Sequence, residues 1–144
     1  MKRLTLIDKA FILKASALFT QLDLELLLPI ADKLSMITCK SGDTLFTYGE
    51  TAHRLYLIVT GSIAIQSKEG QELAVLGPQD FFGDEAVFGE QNRLYHALCQ
   101  SDAILLGLSH THLLSIISEC PNVALSLLHA YASTTPFRAR KQKT

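Results

Sequence analysis

The chain is poor in charge and poorer in cysteine. Asp, Glu, Lys and Arg make up 19% of its 144 residues and nearly cancel, leaving a net charge of −1. A surface that binds nucleic acid through its phosphates is usually strongly basic, so this balance argues against that class. The three cysteines, Cys39, Cys99 and Cys120, are odd in number and show no CxxC spacing. They read as reduced thiols and give no support to a zinc site or a disulfide framework. No run approaches the roughly 18 apolar residues of a spanning helix. Asp8, Lys9 and Lys14 interrupt the apolar N-terminal stretch, which therefore reads as a helix and not as a signal peptide. A soluble, cytoplasmic chain without membrane contact is expected. Catalytic signatures are missing as well: there is no G-x-S-x-G elbow, and no phosphate loop ending in GKS or GKT. His110 and His112 are the only close histidines, and no carboxylate joins them at ligand spacing. Neither an enzyme, nor a metal, nor a cofactor is expected.

What is present is an ordinary apolar globule. Hydrophobic residues reach 48%, and a single domain of this length buries about two thirds of its unfolded-chain surface. The first third reads helical. Leu4, Ile7 and Phe11 share a face that Leu6, Ala10 and Leu13 widen. Asp23 is placed to cap a second helix carrying Leu24, Leu27, Leu28, Ala31 and Leu34, in which Pro29 removes one hydrogen bond and should cause a kink or a late start. From about Ser35 the period changes to alternation. The runs MITC, TLFTY, RLYLIVT, SIAIQS, ELAVL, YHALCQ and AILLGLS are rich in β-formers and separated by turn compositions. Seven or eight short strands at this spacing argue a sandwich, a jelly roll or a small barrel.

The chain then returns to helix. THLLSIISE is one, and Pro121 fits the first turn of another, with Val123, Ala124, Leu127, Leu128 and Tyr131 on one face. Residues 120–137 contain no charged side chain. A half-exposed helix normally carries charge on its outer side, so this one is expected to be covered by a partner. The basic tail RARKQK reads as a solvated end.

Two stretches carry a resemblance. SGDTLFTYGETAHRLYLIVTGSIAI sets Gly42, Gly49 and Gly61 at turns around an apolar strand. FFGDEAVFGEQNRLYHALC places a glycine, a carboxylate, room for a short helix and one arginine ahead of the next strand. In both, and over nearly its whole length, the chain resembles the cyclic-nucleotide-binding domain. This is the regulatory module of catabolite-activator-type transcription factors, cyclic-nucleotide-dependent kinases and gated channels. The resemblance implies a mainly β fold with flanking helices: N-terminal helices over 1–34, a β-roll or jelly-roll barrel of about eight strands over 35–109, C-terminal helices over 110–134 and a tail over 135–144. It also implies that Phe81–Cys99 is a phosphate-binding cassette, with Phe82, Gly83, Asp84, Glu85, Ala86, Arg93, Leu94 and Tyr95 as ligand-binding candidates, Tyr131 as a candidate cap over a base, and cyclic AMP as the expected ligand.

The chemistry agrees with the name. A short helix starting at Gly83 turns unpaired N–H groups toward a phosphate. Arg93 holds two phosphate oxygens in one planar fork. A carboxylate at Asp84 accepts from a ribose hydroxyl. Several positions depart from the family pattern. Asp84 is one methylene shorter than the family's Glu, and Glu85 stands where an apolar residue is usual. Asp84, Glu85 and Glu90 together either repel a phosphate or pair with Arg93. Tyr95 replaces a small residue and His96 a Ser or Thr, while Leu94 offers no hydroxyl. RLYHAL is similar to the equivalent strand of the cyanobacterial nitrogen regulators, which sense 2-oxoglutarate. Two alternatives therefore stay open beside the cyclic nucleotide: another small anion, or a degenerate roll serving as an interaction module. In either case the partner, a second copy or another protein, would dock on the last helix. Only a short tail follows Ala132, so direct DNA binding is not expected.

Overall fold

The computed structural model describes residues 3–89 and 91–133; Glu90 and the basic tail lie outside the described residues. Two helices, α1 (Leu6–Ala15) and α2 (Leu24–Asp32), lead into β1 (Ser35–Cys39), β2 (Thr44–Phe46), β3 (Arg54–Thr60), β4 (Ile63–Gln66), β5 (Glu72–Leu76) and β6 (Phe81–Phe82). A short helix α3 (Asp84–Phe88) separates these from β7 (His96–Cys99) and β8 (Ala103–Ser109), and α4 (His110–Glu119) and α5 (Pro121–Ser133) follow. The strands form two antiparallel sheets, β1-β8-β3-β6 and β2-β7-β4-β5. The expected β-roll with helices at both ends is what the chain forms. The two-residue β6 is the strand that alternation could not reveal.

Strands β3 and β8 are buried on both faces, which explains their near-continuous apolar runs. Leu55, Leu57, Leu106 and Leu108 point out to the helices, joining Leu13, Leu27, Ile30, Leu113, Val123 and Leu127 in one cluster. Tyr56, Ile58 and Leu105 point into the roll and meet Phe46, Ile63, Ile65 and Phe82 in a second. The single β8–β3 layer therefore separates a helical core from the interior of the roll.

Three local expectations are corrected. On α1 the buried residues are Ala10 and Leu13, while Ile7 and Phe11, at 50% and 58%, are exposed. The helix is apolar on two sides, and packing against α2 selects the side with the small Ala10. Thr5 and Asp8 close a reciprocal capping box at its start. On α2 the Asp23 side chain makes no cap bond; its backbone carbonyl accepts from Leu26 and Leu27 instead. The helix runs through Pro29, which lies on the exposed side where water can serve the carbonyl left without its partner.

The third correction concerns the thiols. Cys39 and Cys99 are joined in a disulfide, and only Cys120 is free. Cys39 ends β1 in one sheet and Cys99 ends β7 in the other. The intervening β1–β2 turn is bonded across, with Gly42 N–H donating to Cys99 O and Cys99 N–H to Asp43 O, both at 2.8 Å. The two residues are 60 apart in sequence, so no spacing motif announces the pair.

Gly61 carries the chain from β3 in one sheet to β4 in the other, at φ +95°. A Cβ there would stand 2.5 Å from Asp102 O and 2.6 Å from Ala103 Cβ. Gly61→Ala is expected to destabilise the domain by roughly 2–3 kcal/mol, from the left-handed backbone and a clash that only a main-chain shift relieves. Urea unfolding of the variant measures this; an unchanged midpoint would show that the crossover is free to move.

Candidate functional site

The cassette is built by a change of backbone hand. After Phe82 the chain takes φ +81° at Gly83, and α3 begins at the next residue. Glycine is needed here twice. The left-handed conformation favours it, and a Cβ would lie 2.7 Å from the Arg93 guanidinium. The segment beyond α3 is laced to the β2–β3 loop: Arg93 N–H donates to Glu50 O at 2.7 Å and Gly49 N–H to Arg93 O at 2.8 Å. This lacing aims the Arg93 side chain under Gly83.

Arg93 is 4% exposed and Asp84 6%. The guanidinium donates from one nitrogen to Gly83 O at 3.0 Å and from the other to Arg54 O at 2.7 Å. It lies 4.0 Å over the centre of the Phe46 ring and 5.7 Å from that of Tyr56, a stacked arrangement that Arg favours over Lys. Burial pushes the guanidinium below its ordinary value, against the pull of Tyr56, Tyr95, Glu85 and Glu50. No ion pair joins it to Asp84 or to any other described carboxylate. The alternative in which Asp84 neutralises Arg93 is therefore not what the chain does, and its Glu90 counterpart lies outside the described residues.

Each carboxylate has a tyrosine instead. The Tyr131 hydroxyl, from α5, donates to Asp84 at 2.6 Å. The Tyr95 hydroxyl accepts from Gly83 N–H at 2.8 Å and donates to Glu85, whose oxygens lie 2.8 and 3.0 Å away. Burial raises the Asp84 carboxyl above its usual range, with the Tyr131 bond acting in the opposite sense. Burial and then the neighbouring Asp84 charge raise Glu85. Glu85 is exposed as a residue, so water screens its shift more than that of Asp84. Both phenols are pushed up, chiefly by burial, and keep their protons.

The structure thus brings Gly83, Asp84, Glu85, Arg93 and Tyr95 together, and adds Tyr131 from 47 residues beyond Asp84. It does not bring in the other candidates. Phe82 stacks with Tyr56 at 5.1 Å inside the roll, Ala86 is buried in α3, and Leu94 is exposed. The role sequence reasoning missed is that of the Tyr95 hydroxyl as internal occupant of the glycine N–H. Its signal was a bulky phenol two residues past Arg93, where the family pattern has a small side chain. Nothing in the sequence could have announced the Arg54 carbonyl. His110 and His112 sit at the start of α4, and no group of three metal-ligating side chains occurs among the described residues. Among the described residues, no single helix is long and apolar enough to cross a membrane.

Comparison with known proteins agrees with this layout. The family model for the cyclic nucleotide-binding domain matches residues 36–120. A CRP-like cAMP-activated global transcriptional regulator of Mycobacterium tuberculosis (strain CDC 1551 / Oshkosh) is 26% identical over 125 residues, covering 84% of this chain and 56% of that protein. The chain thus spans just over half the length of this curated relative. Among solved structures, the N-terminal domain of a transcriptional regulator from Streptomyces coelicolor A3(2) superposes with a TM-score of 0.77 at 31% identity, covering 89% of this chain and 92% of that one. The catabolite activator protein of Thermus thermophilus gives 0.74 at 29% identity, over 86% of this chain and 60% of that one.

Proposed function

Because this chain belongs to the cyclic nucleotide-binding domain family, we propose that it is a regulatory, ligand-sensing domain whose cassette takes a cyclic nucleotide, cyclic AMP in particular. The observation that carries the reading is a buried arginine bonded to the main chain of the helix-starting Gly83, whose neighbour in the chain is a buried carboxylate, Asp84. In the bound state Arg93 would fork onto the phosphate, Gly83 N–H would donate to it, and Asp84 would hold the ribose. Binding then requires Tyr95 to release Gly83 and Tyr131 to release Asp84. Tyr131 belongs to α5, so its release transmits occupancy to the last helix. That helix exposes Leu125 and Leu128, at 62% and 64%, a face suited to a second copy or a partner protein. The proposal includes a cytoplasmic location, where the Cys39–Cys99 bond would be open to reduction.

Isothermal titration calorimetry with cyclic AMP, cyclic GMP and 2-oxoglutarate tests the reading. The wild type is expected to bind cyclic AMP, and Tyr95→Phe to bind it roughly tenfold more tightly. The variant keeps the ring but leaves the Gly83 N–H to the ligand, a gain of about 1–1.5 kcal/mol. Weaker or equal binding by Tyr95→Phe would remove the phenol from the mechanism. The second reading, an interaction module without a small ligand, is favoured by one observation: the Gly83 N–H and the Asp84 carboxylate already have internal partners. Silence with all three ligands in both proteins would overturn the cyclic nucleotide reading and leave this one standing.

A further inference from the structure

We propose that the open mouth of the β-roll is a second binding site, for a small anion bearing a carboxylate or phosphate group, held between Arg54 and Arg93. A cavity of about 510 Å³ opens there, bordered by the edge strands β1 and β2 of the two sheets. Its lining includes Arg54 and Arg93 but none of Gly83, Asp84, Glu85 or Tyr95. It therefore reaches Arg93 from a side other than the cassette. The size falls in the range of small-molecule sites.

The case rests on two guanidinium groups that form no ion pair with any described carboxylate. Arg93, almost wholly buried, spends donors on two backbone carbonyls, and Arg54 O is one of them at 2.7 Å. The rest of its five N–H donors have no carboxylate among the described residues. Arg54 is half-buried, and its guanidinium makes no hydrogen bond or ion pair with any described residue. Room for its side chain comes from Gly107 on the neighbouring strand, where a Cβ would meet Arg54 Cδ at 3.1 Å. The buried Arg93 guanidinium carries a desolvation cost that a bound anion offsets. The cavity also holds Asp43 and Glu50, but both are exposed at the rim and locally engaged. Lys40 N–H donates to Asp43 and the Thr47 hydroxyl to Glu50, each at 2.9 Å.

The test titrates the full chain separately with sodium phosphate and sodium succinate, by calorimetry and by NMR shifts of the Phe46 and Tyr56 rings. At least one probe is expected to bind in the submillimolar range. Arg54→Gln should weaken that binding tenfold or more, and Arg54→Lys should restore part of it. A phosphate-only or a succinate-only response supports the site and identifies the source of the anion. No response to either probe, or undiminished binding by Arg54→Gln, would overturn the proposal. If cyclic AMP fails to bind while an anion binds through Arg54, the cassette reading fails and this one stands.

Discussion

Arg93→Ala is expected to lower the unfolding free energy by about 2–4 kcal/mol, and in the same variant to remove cyclic nucleotide binding. The sequence alone suggests a residue that serves the ligand and is indifferent to the fold, but the geometry also ties it to the fold. Its side chain bonds two main-chain carbonyls, Gly83 O and Arg54 O, and covers the Phe46 ring. Truncation strands those carbonyls, at about 1–3 kcal/mol each, partly offset because a desolvated charge is also removed. On the binding side, the loss of the main charged partner of a buried phosphate is worth about 2–5 kcal/mol, between roughly thirtyfold and several thousandfold in affinity. Denaturant unfolding read beside calorimetry separates the two effects. Arg93→Lys sharpens the separation, since it keeps the charge but loses the planar fork, and it should recover part of the binding and little of the stability. Wild-type stability in Arg93→Ala would mean that the two carbonyl bonds contribute nothing in solution. Unchanged cyclic AMP affinity would remove Arg93 from the cassette.

The second large effect is expected from reduction. Opening the Cys39–Cys99 bond should lower stability by about 4 kcal/mol, the loop-closure entropy restored to an unfolded chain whose linked residues lie 60 apart. Guanidinium unfolding with and without reductant measures it, and Cys39→Ser should reproduce the reduced midpoint. A count of reactive thiols in unfolded, unreduced protein gives an independent check: one, from Cys120, is expected. A count of three, with coincident unfolding curves, would show that the bond does not form. The consequence is local as well as global. Cys39 ends an edge strand that borders the cavity at the mouth of the roll, so reduction should loosen the β1–β2 rim first.

Much of the fold was legible because it depends on neighbours in the chain. The near-continuous apolar run RLYLIVT marks β3, and the absence of any charged position in its centre reflects burial on both faces. The turn at Gly61 and the interval from Gly83 to Arg93 are also local quantities, and they located the cassette. The same local signals failed where they were degenerate. Alpha-helix α1 has two apolar sides, and periodicity could not choose between Phe11 and Ala10. Beta-strand β6 is too short to alternate.

By itself, then, the sequence determined the order of the elements, the turns that permit a roll and the positions of the residues proposed for a cassette. Those features are set by backbone conformation and by contacts a few residues long. Only the tertiary structure decided who partners whom across long loops: Cys39 with Cys99, Arg93 with the Arg54 carbonyl, Tyr131 with Asp84. Each of these pairs is separated by 39 to 60 residues. Which groups meet over such distances is fixed by how two sheets and four flanking helices share one buried volume, and no short stretch of chain contains that information.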